Sequence, residues 1–174
     1  ARMIYTDGLN TLFAFGGIYA AGTFGMSFGE VIEFGIALNV TAGLGAIAFA
    51  WIDDWIGAKR TVLIALAGII ACGAILLSID SKAWFWVFAL VLGSFFGPAQ
   101  AASRSLMARL VPPGMETEMF GLYAFTGKVT AFVGPAVLGW ATLAFDSQRA
   151  GMATILPFLL VGAALLLTVR EPRG

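Results

Sequence analysis

Apolar residues fall in long runs along this chain, and short polar or charged clusters separate them. Each run is near the ~20 residues that an α-helix needs to cross a hydrocarbon core of about 30 Å. The pattern predicts six such helices, over residues 3–26, 31–52, 61–79, 84–108, 119–145 and 151–169. The interruptions are the charged stretch from Asp53 to Arg60, the turn Asp80-Ser81-Lys82, the loop from Arg109 to Glu118 with Pro112-Pro113-Gly114, and Asp146-Ser147-Gln148-Arg149. A soluble helical bundle would have shorter runs alternating with amphipathic surface helices. The expected fold is therefore an all-α membrane protein, one transmembrane domain over residues 1–174.

Composition agrees. Charged residues make up 11% of the chain, against roughly 25% in a soluble domain, and lipid solvates the apolar surface that so few charges would leave uncovered. The net charge is zero, so nothing points to nucleic acid as a partner; the expected surroundings are a lipid bilayer. Basic residues are split unevenly between the two ends of the predicted bundle. Arg2, Lys59, Arg60, Arg109, Arg170 and Arg173 share one side, and Lys82 and Arg149 the other. Cytoplasmic loops carry the excess of Lys and Arg, so both termini are expected in the cytoplasm. Trp51, Trp55, Trp84, Trp86 and Trp140 fall near predicted helix ends, where interfacial belts form. A chain that opens on Ala1 and enters an apolar segment at once is expected to be part of a longer protein.

Catalytic chemistry has little to work with. There is no histidine, and Cys72 is the one cysteine, which excludes an internal disulfide and any Ser-His or Cys-His pair. No metal-ligand spacing and no phosphate-cradling glycine loop is present, so no catalytic residue, metal or cofactor is expected. Ionisable groups inside a membrane are costly and mark candidate sites. Lys128 lies about 10 residues into the fifth predicted helix, ~15 Å deep, and is expected to face the bundle interior or a water-filled cavity. It would bind an anionic group or take part in coupling; a packing role is the alternative. Asn10, Asn39, Gln100 and Thr126 are predicted at similar depth, as are Thr11, Thr41 and Thr130, and could line one cavity with it or simply bond neighbouring helices. Asp7 and Arg104 lie one to two turns inside the cytoplasmic ends of their helices. They are expected to pair with each other or with charges near Asp53 and Arg60. Asp7 is also the one clear intramembrane acid and so the candidate proton carrier. Gly43, Gly45, Gly93, Gly97, Gly127, Gly134 and Gly139 suit close helix packing, and Pro98 and Pro135, each after a glycine, are expected to kink or loosen their helices.

The stretch from Ala50 to Arg60 resembles the signature loop of the major facilitator superfamily. Asp53, Gly57, Lys59 and Arg60 match it, and it falls between helices two and three, as in each six-helix half of that fold. The segment Gly127–Gly139, with Gly134-Pro135 inside, resembles the glycine-proline signature of the fifth helix of such a half. Together with Asp7-Gly8-Leu9-Asn10-Thr11, the segment from Gly97 to Met107 and Ser147-Gln148-Arg149-Ala150-Gly151, the chain is similar to the C-terminal half of the vacuole-effluxer-like branch, which includes fungal vacuolar amino-acid exporters and many bacterial members. The resemblance implies six transmembrane helices forming one half of an alternating-access transporter. It implies a missing N-terminal six-helix half as partner and a small solute, such as an amino acid, as cargo. It also implies a cytoplasmic latch formed by Asp53, Gly57, Lys59 and Arg60 with Arg104. The implied setting is the bacterial inner membrane, with the vacuolar membrane second. A non-transporting receptor, scaffold or assembly partner on the same half-fold remains the alternative.

Overall fold

The computed structural model describes residues 1–169; Arg170 and Arg173 of the charge count lie outside them. In chain order the helices are α1 (Arg2–Phe24), α2 (Phe28–Ile56), α3 (Ala58–Ser78), α4 (Lys82–Leu110), α5 (Glu116–Val129), α6 (Val133–Ala144), α7 (Gln148–Ala153) and α8 (Ile155–Thr168). No strand occurs among the described residues. The last four helices pair end to end into two spans, Glu116–Ala144 and Gln148–Thr168. With α2, α3 and α4 these make five spans long and apolar enough to cross a membrane. The protein is thus a multi-pass, all-α membrane protein.

The expected first crossing is α1. Its 23 residues are long enough, but Arg2, Thr6, Asp7, Asn10 and Thr11 lower its apolarity, and it does not join the five. It enters the bundle by packing instead. Tyr5, Thr6, Asp7, Gly8 and Leu9 are all buried, so neighbouring helices rather than lipid cover its polar face.

Local chemistry sets the junctions. Gly25 ends α1 at φ 63°, a left-handed conformation that glycine adopts without a Cβ penalty. Ser27 and Glu30 then form a capping box: the Glu30 side chain accepts the Ser27 N–H at 2.8 Å, and Ser27 Oγ accepts the Glu30 N–H at 3.3 Å. Gly57 joins α2 to α3 at φ 90°, which explains a glycine there in the signature loop.

Two seams hold the bundle. α4 lies against both α2 and α3, and α1 lies against α8. On the first seam, a Cβ at Gly45 would sit 1.9 Å from the Ser94 carbonyl oxygen, and one at Gly97 would sit 1.9 Å from the Ala42 carbonyl oxygen. On the second, a Cβ at Gly162 would lie 2.5 Å from Tyr5 Cβ. Close backbone approach of this kind is what holds helices together in lipid, where no hydrophobic force favours association. Leu66, Ile69 and Leu159 fill the centre, and the tilted rings of Tyr19, Phe24, Phe34 and Phe85 cluster at one end. Ion pairs tie the ends: Glu30 with Lys82 and Asp80 with Arg149 on one side, Asp53 with Arg109 on the other. Coverage is uneven. α2 buries only Phe34 and Gly45, and α5 buries nothing, so these two helices carry the open faces.

Candidate functional site

The site grows out of the break between α5 and α6. Pro135 lacks an N–H and its ring excludes the carbonyl four residues back, which is that of Ala131. The chain answers with a tight turn: the Ala131 N–H bonds the Lys128 carbonyl at 3.2 Å and the Val133 N–H bonds the Thr130 carbonyl at 2.9 Å. α5 therefore stops at Val129 and α6 restarts at Val133. The span Glu116–Ala144 has 29 residues, or ~43 Å at 1.5 Å per residue, and the break lies ~20 Å along it. A helix carries partial negative charge at its C-terminus and partial positive charge at its N-terminus. A mid-span break therefore presents both ends partway along the span.

Each end has an ionisable side chain close by in sequence or space. Lys128 is in the last turn of α5. Asp7, from α1, meets the first turn of α6: its Oδ2 accepts the Gly134 N–H at 2.8 Å. Asp7 is 2% exposed, and its other oxygen, Oδ1, is buried without a hydrogen-bond partner. Gly134 makes this approach feasible, since a Cβ there would lie 2.2 Å from Thr11 Oγ1 and 3.3 Å from Asp7 Cγ. Thr11 in turn donates to the Asp7 carbonyl at 2.8 Å. The expected pairing of Asp7 with Arg104 or with charges near Asp53 is thereby corrected. Its partner is a backbone amide of α6, while Asp7 itself lies one to two turns inside α1, as expected.

Of the two settings expected for Lys128, the structure leaves the open one. Lys128 is exposed on the outside of the six-helix bundle, not within it, and makes no hydrogen bond or ion pair among the described residues. Asn10 and Asn39 are exposed too, on α1 and α2; Asn39 Nδ2 donates to the Gly35 carbonyl at 2.8 Å. Gln100 is half-buried on α4. Thr126 is half-buried and accepts from Arg2 Nη1 at 3.3 Å. Thr130 Oγ1 reaches the Met3 carbonyl at 3.5 Å, and Thr41 Oγ1 bonds the Leu38 carbonyl on its own helix. These residues do not enclose a cavity within the bundle. A pocket of about 60 Å³ between α1, α3, α4 and α8 is lined by apolar side chains such as Leu12, Ile69, Phe96 and Leu159, and by none of them. α1 touches both α2 and α5, so its exposed stripe with Asn10 lies beside the two least-covered helices.

The latch charges pair differently from the expectation. Asp53 bonds Arg109 at 3.3 Å, and Lys59 Nζ donates to the Leu167 and Val169 carbonyls at 2.8 and 2.6 Å, capping the C-terminus of α8. Arg60 and Arg104 are exposed and make no such contact among the described residues. Sequence reading missed Arg2 as more than a loop charge. Its guanidinium lies 3.3 Å from the centroid of the Tyr123 ring and also bonds the Tyr123 carbonyl, fastening α1 to α5. It missed the buried Tyr5–Ser103 bond of 2.8 Å between α1 and α4 as well. Neither pair leaves a spacing signal, because the partners are far apart in the chain.

The sequence matches the model of the vacuole effluxer Atg22-like family over residues 1–174. The chain belongs to that family. Among its relatives, "Autophagy-related protein 22" of Cryptococcus neoformans is 28% identical over 100% of this chain and 35% of its own length. "Autophagy-related protein 22-2" of Emericella nidulans is 36% identical over 53% of the chain and 16% of its own length. An "Uncharacterized MFS-type transporter YxiO" of Bacillus subtilis is 21% identical over 98% of the chain and 40% of its own length. The chain thus spans about a third of the length of the fungal relative that it matches from end to end. The MFS-type relative agrees with the major facilitator resemblance carried by Asp53, Gly57, Lys59 and Arg60, and the six-helix order with one half of that fold.

Proposed function

We propose that this chain is the C-terminal six-helix half of a secondary transporter that moves a small solute by alternating access, with an amino acid or similar metabolite as cargo and efflux as the direction. The observation that carries the reading is Lys128. An unpartnered ammonium at mid-depth of a span is costly in lipid, so its open face belongs against water or a partner. Asn10 and Asn39 are also exposed, on α1 and α2. A carboxylate-bearing solute would meet Lys128 at its open face, and an N-terminal half would close the other side over the uncovered faces of α2 and α5. In this reading the ends holding Arg2, Lys59, Arg60 and Arg109 are cytoplasmic, and the Asp53–Arg109 pair with the Lys59 cap fastens that side.

The test is efflux of a panel of radiolabelled amino acids from liposomes containing the full-length protein, comparing wild type, Lys128→Ala and Lys128→Arg. Lys128→Ala is expected to lower efflux at least tenfold, about 1.4 kcal/mol of barrier, with Lys128→Arg keeping part of it and all three proteins folding equally. Equal efflux from wild type and Lys128→Ala would remove Lys128 from the pathway. Absence of efflux for every amino acid from wild type would favour a non-transporting receptor or scaffold.

A further inference from the structure

We propose that Asp7 is a proton-binding site that gates the α5–α6 break: a neutral acid while it seals the break, and a carboxylate once the break opens to water. The site itself needs only the geometry; its consequence for solute movement rests on the transport reading.

The carboxyl group is half-satisfied. Oδ2 takes the Gly134 N–H, and Oδ1 is buried with no donor facing it. A carboxylate with a bare oxygen in a low-dielectric interior is poorly tolerated, whereas a proton on that oxygen removes the charge. The neighbouring elements supply no cation to do so instead. α6 and α8 carry no ionisable side chain. On α5, Tyr123 lies under the Arg2 guanidinium and Lys128 points to the outside. On α1 itself Arg2 is engaged with Tyr123 and Thr126, and Tyr5 bonds Ser103 of α4. Arg104 of α4 is exposed, Arg149 of α7 is held by Asp80, and the acids of α2 lie at its two ends. None forms an ion pair with Asp7.

The same geometry makes protonation a switch. Asp7 and Thr130 bridge α1 to the broken segment. Separating that segment from α1 removes the Gly134 N–H from Oδ2 and admits water. The proton on Oδ1 then passes to water, leaving the carboxylate solvated. Uptake of a proton from water on the other side restores the neutral acid, and with it the contact to Gly134. The break can close only with the proton on, so closure and proton binding occur together.

The test uses the full-length protein in liposomes and dicyclohexylcarbodiimide, which attacks protonated carboxyls in apolar surroundings. Peptide mass spectrometry should find the adduct on Asp7 at pH 6 and at least tenfold less at pH 9. In parallel, Asp7→Asn, whose amide oxygen can still accept the Gly134 N–H but which cannot take up or release the proton, should lower movement of radiolabelled amino acids driven by a pH gradient at least tenfold, with insertion and folding unchanged. No adduct at either pH overturns the proton site whatever the flux assay returns. An adduct together with undiminished gradient-driven movement in Asp7→Asn overturns the gating. Absence of all flux in wild type with the pH-dependent adduct present would instead count against the transport reading alone and uphold the proton site.

Discussion

The chain contains two Gly-Pro pairs inside long helices, and they behave differently. At Gly97-Pro98, α4 continues unbroken from Lys82 to Leu110. At Gly134-Pro135, the span splits into α5 and α6. The proline chemistry is the same, so the surroundings decide. Pro98 frees the carbonyl of Ser94, and that oxygen points at Gly45 of α2, where a Cβ would lie 1.9 Å away. Such contact with a glycine Cα–H is a weak hydrogen bond. Gly97 returns the contact by lying against the Ala42 carbonyl, and α3 covers another side of α4. Packed on two flanks, α4 is held as one continuous helix. The Gly134-Pro135 span is covered less evenly: α5 buries no residue, and at the break α1 supplies the Asp7 carboxyl to the Gly134 N–H, Thr11 beside Gly134, and the Met3 carbonyl to Thr130. One Gly-Pro pair is clamped by the backbone of α2 and covered by α3, and the other is held from α1 with a titratable group at its centre.

Breaking the clamp should have the largest effect. Gly97→Val drives a branched side chain into the Ala42 carbonyl and should destabilise the bundle by about 1–3 kcal/mol or more, seen as a lost or lowered melting transition in detergent; an unchanged transition would mean that α2 and α4 can separate at little cost. Exchanging the prolines sharpens the comparison next. Pro135→Ala lets α5 and α6 join, and should raise thermal stability while slowing transport at least tenfold, about 1.4 kcal/mol. Pro98→Ala, in a helix already continuous, should leave transport within about twofold of wild type. Equal effects from the two would erase the distinction. The smallest effect is expected at the bundle end: Asp53→Asn removes a partly exposed ion pair and should cost about 0–1 kcal/mol, measured as a small shift in melting temperature that shrinks further in high salt.

How much of this was legible follows from what each feature demands of the sequence. Crossing a bilayer demands length and apolarity, which runs of residues display openly, and the helices were found for that reason. α1 is the exception in kind: its polar residues are covered by protein rather than lipid, and only tertiary packing reveals that. Glycine-mediated seams were legible as small residues, but not which of them matter. Gly45 and Gly97 meet backbone, whereas Gly43 and Gly139 meet nothing. The site was half-legible. Lys128 stood out as a charge at mid-span. The partner of Asp7 could not, because a backbone amide 127 residues away has no side-chain signature. Arg104 and Arg109 show the same limit on the latch. Five residues apart, they point about 140° from each other around α4, and only Arg109 faces Asp53.

The central claim is that the Gly134-Pro135 break moves and that Asp7 holds it, while Gly97-Pro98 stays fixed. Hydrogen–deuterium exchange of the full-length protein in nanodiscs tests it most directly, comparing peptides over 128–138 and 92–103 in wild type and Asp7→Ala. The account predicts faster exchange in the first peptide than in the second in wild type, and a further rise confined to the first in Asp7→Ala. Equal protection of the two peptides, or no response to Asp7→Ala, would contradict it.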